Sequence, residues 1–210
     1  EEVFRAWAAG PAAPLESAFA AGGPEAESFL LRKLADGRHV ERVRALVLLG
    51  SCGGSRSLAA VDRAAREPAL RRTAVRSLGA IGRRDAFAVS VLFGRATEPG
   101  LRRAVIGALG ETGCVEAVGP LLALATDCDT SRAAARALGR IAAPEAVRAL
   151  LDLAARPGCA REVRAALGRF EPALVRAVLT EVASDRARRR ALGALLRIRE
   201  STQRGVRSEA

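Results

Sequence analysis

Arginines and acids recur along this chain at fixed positions, and they are the groups best placed to do chemistry. Arg72, Arg103, Arg132, Arg161 and Arg189 follow one another at intervals of 28 to 31 residues, with Val43 in the equivalent first position. Glu67, Glu98 and Asp127 each stand five residues before one of them. A column of guanidinium groups can bind successive phosphates of a polyanion. It can equally form a structural ladder, each arginine pairing with loop acids and carbonyls where a helix starts. Recurrence of one geometry in every unit favours the ladder. Arg71, Arg102, Arg188 and Arg190 lie beside the column without an evident acidic partner, so they are candidates for contacting something outside the chain. Arg63, Arg66, Arg95, Arg148, Asp152 and Arg176 form a second group, at outward positions of later helical stretches. Their signs are mixed and Gly119 and Ala123 interrupt them, so no continuous phosphate-tracking groove follows. Each alone reads as solvated surface.

Other chemistry is thinly supplied. Cys52, Cys114, Cys128 and Cys159 form no Cys-x-x-Cys, and His39 is the sole histidine, so zinc-ligand spacing is missing. Cys114 and Cys128 bracket one helix, about 20 Å apart at 1.5 Å per residue, beyond disulfide reach. Cys52 falls on an apolar stripe and reads as core. Reduced thiols and a cytoplasmic setting are expected. A nucleophile triad would have to use His39, which sits beside Gly37 in a polar stretch that reads as a surface turn.

The elements that must position these groups are helices. Gly50, Gly79, Gly110, Gly139 and Gly168 mark five segments repeating every 29 to 31 residues, and a sixth segment carries Leu196 at the marker position. Such a period means stacked units, each burying its apolar face against its neighbours. Around the marker, apolar residues at i, i+4 and i+7 (Ala74, Leu78, Ile81; Ala134, Leu138, Ile141; Val163, Leu167, Phe170) form one stripe of a first helix. A second helix follows, with Val118, Leu121, Leu122 and Ala125 repeated as Val147, Leu150, Leu151 and Ala154. In the fifth unit the stripe comes one residue early, at Val175, Val178, Leu179 and Val182, implying a deletion in the turn. Pro120, Pro144 and Pro172 fall near second-helix starts, where a missing N–H costs least. Pro68, Pro99 and Pro157 fall between units. A glycine inside a helix costs about 1 kcal/mol relative to alanine, so its repetition predicts close approach of another helix.

Hydrophobic residues make up 50% of the 210, mostly small aliphatics, with 3% aromatic, enough for a sizeable core built on close helix contacts. All 34 basic residues but Lys33 are arginine, a composition expected of a GC-rich genome. Residues 1–68 balance nine basic against nine acidic residues, and the rest carry the whole net +11. Such a field attracts polyanions or acidic protein surfaces. No apolar run approaches the roughly 18 residues of a membrane span. There is no methionine, which suggests a processed form or an excised module.

The string RAAARALGRIAAPEAVRALLDLA (132–154) resembles the short HEAT-like repeat of phycobilisome lyase subunits, and the resemblance extends over roughly 41–198. It implies an all-α, right-handed α-solenoid of about six to seven helix pairs, with the second helices on the concave face. Residues 1–40 are expected to form an irregular or capping repeat, 41–199 the array and 200–210 a flexible tail. In the cap, a leftover helix over residues 1–9 includes Trp7, and a weak unit pairs Leu15–Ala21 with Glu25–Ala35. A single histidine cannot supply the paired His-Glu iron motifs of hydroxylases built on this repeat. The scattered phenylalanines serve poorly for the base stacking of its DNA glycosylases. The expected function is therefore a non-enzymatic scaffold without cofactor or metal, a module of a larger protein that binds a protein partner, for which the net charge suggests an acidic surface. The alternatives are a nucleic-acid-binding array using arginine–phosphate contacts, and a bilin lyase-like subunit.

Overall fold

The computed structural model describes residues 19, 22–156 and 158–182 of the chain. Among them are eleven α-helices and no strand: α1 Gly23–Asp36, α2 His39–Cys52, α3 Ser55–Ala65, α4 Arg71–Ile81, α5 Phe87–Arg95, α6 Arg102–Thr112, α7 Val118–Leu124, α8 Cys128–Leu138, α9 Pro144–Ala154, α10 Ala160–Leu167 and α11 Pro172–Val182. A 3-10 turn, Val115–Ala117, leads into α7. The described residues divide into two compact units on either side of residue 108, with the division inside α6.

In the first unit α2 and α4 pack side by side as one layer, and α1, α3 and α5 form a second layer against them. The apolar stripes meet between the layers. Leu46, Leu49, Leu78 and Ile81 come from the first helices, and Leu30, Val61 and Leu92 from the second, all fully buried. The second unit repeats the plan, with α8 and α10 in one layer and α7, α9 and α11 in the other. Ala134, Leu138 and Ile141 are buried here, as are Val147, Leu150, Leu151 and Ala154. Val178 of the early-shifted stripe joins Val147 and Leu151, with Leu167, Phe170, Leu174 and Leu179 packed around them. Val178 and Leu179 of the expected stripe thus face this core, with Leu174 rather than Val175 beside them.

The marker glycines sit where successive first helices touch. A Cβ on Gly79 would lie 2.8 Å from the Ala108 carbonyl oxygen and 2.9 Å from its Cβ. On Gly110 it would lie 2.6 Å from the Cβ and 2.7 Å from the Cα of Ala137, and on Gly139, 2.8 Å from the Cβ of Ala166. In each case the facing residue stands two before the next marker. At Gly50 that residue is Ser77, and the contact relaxes to 3.4 Å. Ser77 instead donates its buried hydroxyl to the Leu46 carbonyl at 2.7 Å. The expected close approach is therefore observed, helix backbone against helix backbone.

Prolines open α9 and α11 and lie in the first turn of α1. Asp127 caps α8 by accepting from Thr130 N–H at 2.8 Å. The N-terminus of α3 is capped from another helix: Glu27 of α1 accepts from Gly54 N–H at 3.2 Å and from the buried Ser57 hydroxyl at 2.5 Å. These carboxylates serve donors that the first helical turn leaves unbonded. The segment with Trp7, the sixth repeat and the tail lie outside the described residues. So does Leu15–Ala21 except Phe19, which is buried 6.1 Å from the Phe29 ring.

Candidate binding surface

Three sets of arginines can be told apart by what their guanidinium groups meet. The first set forms rungs between a first helix and the loop before the next one. Arg42 in α2 donates to both carboxylate oxygens of Glu67, at 2.8 and 2.5 Å, and through Nε to the Leu34 carbonyl at 2.8 Å. This pairing holds the Glu67 carboxyl below the usual carboxylate range. One repeat on, Arg71 stands 3.8 Å from Glu98, and its buried Nε has no hydrogen-bond acceptor. The rung arginines thus stand eight residues before the marker. Arg72 and Arg103, the column seven before it, are exposed and pair with no described residue, while Arg132 pairs with Asp129 of its own helix at 2.5 Å and Arg161 with the adjacent Glu162 at 3.3 Å. Two rungs of the expected ladder are found, both in the first unit, one residue earlier than the column predicts and from one repeat to the next. One residue is 100° of helix, enough to move a side chain from the loop acid into solvent.

A second set of rungs joins second helices. Arg95, at the end of α5, makes a two-point contact with Asp62 of α3 at 2.6 and 2.5 Å and also bonds Glu98 at 2.6 Å. Its side chain is 14% exposed, and the two acids hold its pKa above the ordinary arginine value. Arg66 lies 3.8 Å from Asp62, so the candidates Arg66, Arg71 and Arg95 are gathered into one network by Asp62 and Glu98. In the second unit Arg148 of α9 pairs with Glu181 of α11 at 2.7 Å and lies 3.7 Å from Glu145. Asp152, one turn on, is exposed. Arg84 and Arg156 serve as caps: Arg84 bonds the Gly50 and Gly53 carbonyls at 2.8 Å each, and Arg156 bonds the Ala125 carbonyl.

The third set is exposed. Arg63 and Arg176 pair with no described residue; Arg102 is exposed as well, and Arg188 and Arg190 lie outside the described residues. Arg63 belongs to a groove of about 440 Å³ between α1 and α3. Leu31 and Leu34 of α1 and Ala59 and Ala60 of α3 give it an apolar floor, and Arg56 stands over it beside Arg63. Arg56 is a residue that sequence reasoning missed. Its signal was present, since Arg56 and Arg63 are seven apart on one helix with only alanines at the intervening facing positions. A larger hollow of about 650 Å³ in the second unit is lined by Leu122, Asp127, Cys128, Ser131 and Arg156. There Asp127 is engaged in its cap and Arg156 in its carbonyl bond.

The remaining reactive groups are scattered. All four cysteines are free thiols, with Cys159 buried, Cys128 exposed, and Cys52 half-buried at the end of α2. Burial pushes the Cys52 and Cys159 thiols up. His39 is exposed at the first position of α2 rather than in a turn. Among the described residues no group of three or more His, Cys, Asp or Glu is placed to hold a metal ion, and no helix is long and apolar enough to cross a membrane.

Residues 87–169 match the family model described as HEAT repeats. No curated protein matches the chain. Repeats of this family are commonly protein-interaction scaffolds and generally not enzymes. Stacked helix pairs with small residues at the crossing points agree with that match, and residues 87–169 are HEAT-like repeats.

Proposed function

We propose that this chain is a non-enzymatic scaffold that captures an acidic protein partner, as a module of a larger protein. The observation that carries the reading is the sorting of the arginines. Rung arginines are matched by acids inside the array, so among the described residues the positive charge a partner meets is that of the exposed arginines, Arg56 and Arg63 among them. Arg56 and Arg63 stand over an apolar floor, which suits a protein surface carrying both carboxylates and aliphatic groups better than a phosphate backbone. Exposed arginines of the first helices (Arg72, Arg76 and Arg103 in the first unit) favour a second reading, phosphate contact with a nucleic acid.

Fluorescence anisotropy with labelled polyglutamate and labelled double-stranded DNA, each titrated over salt, separates the two. An acidic-partner scaffold retains the polypeptide near ~0.15 M salt while DNA is released. Tighter binding of DNA, falling log-linearly with added salt, would replace the scaffold reading with the nucleic-acid one.

A further inference from the structure

From the groove between α1 and α3 we infer a docking site for an amphipathic acidic helix of a partner protein, with carboxylates seven residues apart and aliphatic residues at the two positions midway. The inference rests on the scaffold reading and goes further in naming the site and the shape of its ligand.

Four observations lead to it. Arg56 and Arg63 are exposed on α3 and no described carboxylate pairs with either, although the neighbouring Arg42 and Glu67 are paired with each other at the groove's border. Seven residues of helix place the two α-carbons about 10.5 Å apart on nearly the same face. On the face they share, α3 carries Ala59 and Ala60 between them, so no side chain longer than a methyl group stands there to keep a second helix away. Finally, Leu31 of α1, beside the buried Leu34, is only half-buried at the groove, leaving apolar surface for a ligand to cover.

An α-helix is the ligand whose repeat matches this pattern. Its residues i and i+7 have the same 10.5 Å separation, and its i+3 and i+4 side chains project between them. The match holds whether the ligand runs parallel or antiparallel to α3, because the motif Arg-x-x-Ala-Ala-x-x-Arg reads the same in both directions. Glutamates at the ends meet guanidinium groups, and leucines in the middle fill the space above the alanines. Helix-in-groove recognition of this kind takes its affinity from the apolar anchors and its orientation and specificity from the flanking charges.

The test uses the full chain and two fluorescein-labelled synthetic helices, one with glutamates seven apart around a Leu-Leu pair and one with lysines in place of the glutamates. The wild type is expected to bind the glutamate helix at least about tenfold more tightly than the lysine helix, a difference of about 1.4 kcal/mol. Arg56→Glu with Arg63→Glu inverts the preference, and Ala59→Phe, which fills the floor without touching charge, weakens the glutamate helix by a similar factor. Arg72→Glu with Arg103→Glu leaves the affinity within about twofold. All substituted positions are exposed, and circular dichroism confirms that each variant is folded. If the glutamate helix does not bind the wild type, or binds it with an affinity that follows Arg72 and Arg103 rather than Arg56 and Arg63, the groove is not the docking site. Polyglutamate retention then decides separately whether the scaffold reading survives. Unchanged affinity in Ala59→Phe also overturns the inference, because it reduces the contact to general charge attraction.

Discussion

Gly110 shows at the scale of one residue how this array is held. The helix that contains it would gain about 1 kcal/mol from alanine on propensity alone. A methyl group there meets Ala137 Cα at 2.7 Å, however, and backbone cannot give way as a flexible side chain would. Gly110→Ala and Gly79→Ala are therefore expected to destabilise by about 1–3 kcal/mol through overpacking, outweighing the propensity gain. Gly50 faces Ser77 Cα at 3.4 Å, ordinary contact, with Ala80 Cβ at 3.3 Å. Gly50→Ala should then fall within about 1 kcal/mol of wild type. Guanidinium unfolding of the three variants checks the order, and equal effects at all three sites would show that propensity rather than packing governs them. The close approach was legible in the sequence because a costly residue recurred at a fixed position. The exception at Gly50 was not, since it depends on the few tenths of an ångström by which two helices separate.

Pairs of elements are joined by polar rungs whose energies differ with burial. Arg95, Asp62 and Glu98 are all mostly shielded from water. Removing the guanidinium leaves two carboxylates without their cation, so Arg95→Ala is expected to cost about 2–3 kcal/mol. A double-mutant cycle with Asp62→Ala should return a coupling of at least about 1 kcal/mol, and a coupling near zero would show the pair to be ornamental. The Arg42–Glu67 rung is more exposed and is read better through pH. Arg42 lowers the Glu67 pKa in the folded protein. The rung therefore stabilises the fold fully above the unfolded value, about 4.3, and the contribution is lost as pH falls through the lower, folded value. Glu67→Gln should narrow the gap between denaturation midpoints at pH 7 and about pH 3. An unchanged gap would mean that the rung adds nothing to acid stability. Both partners of this rung were visible in the sequence, yet not as a pair. Glu67 reads as a partner for the arginine of its own repeat, Arg72, whereas the turn carries it to Arg42 of the repeat before. Apolar periodicity finds a helix but leaves its polar positions uncertain by a residue, and in a rung that residue decides everything.

Across the whole molecule, the helical order and the apolar stripes were legible because each unit obeys the same constraint, a face buried only by its neighbours. The described helices follow that order from α2 through α11, where Val178 and Leu179 of the shifted stripe reach the core. The groove was harder to foresee, because it is made by what α3 lacks between two arginines rather than by any residue it has. Composition pointed to the C-terminal two-thirds as the basic part, while the two guanidinium groups over an apolar floor lie in the charge-balanced stretch 1–68. Net charge counts arginines without regard to how they are engaged, and most of those with an acid in reach are engaged by the fold.

The fit of each marker glycine against the residue two before the next marker also sets a grammar for exchanging repeats. At this contact any unit that presents glycine on one side and alanine on the other can follow any other such unit, as at the three joints between Gly79 and Ala166. Gly50 and Ser77 form a different joint, with its own hydroxyl bond and a wider gap. Duplication or deletion of a unit within the glycine–alanine run preserves each of these contacts. The same event across Ser77 brings a hydroxyl into a space shaped for a methyl group, which makes that joint a boundary for lengthening the array by recombination.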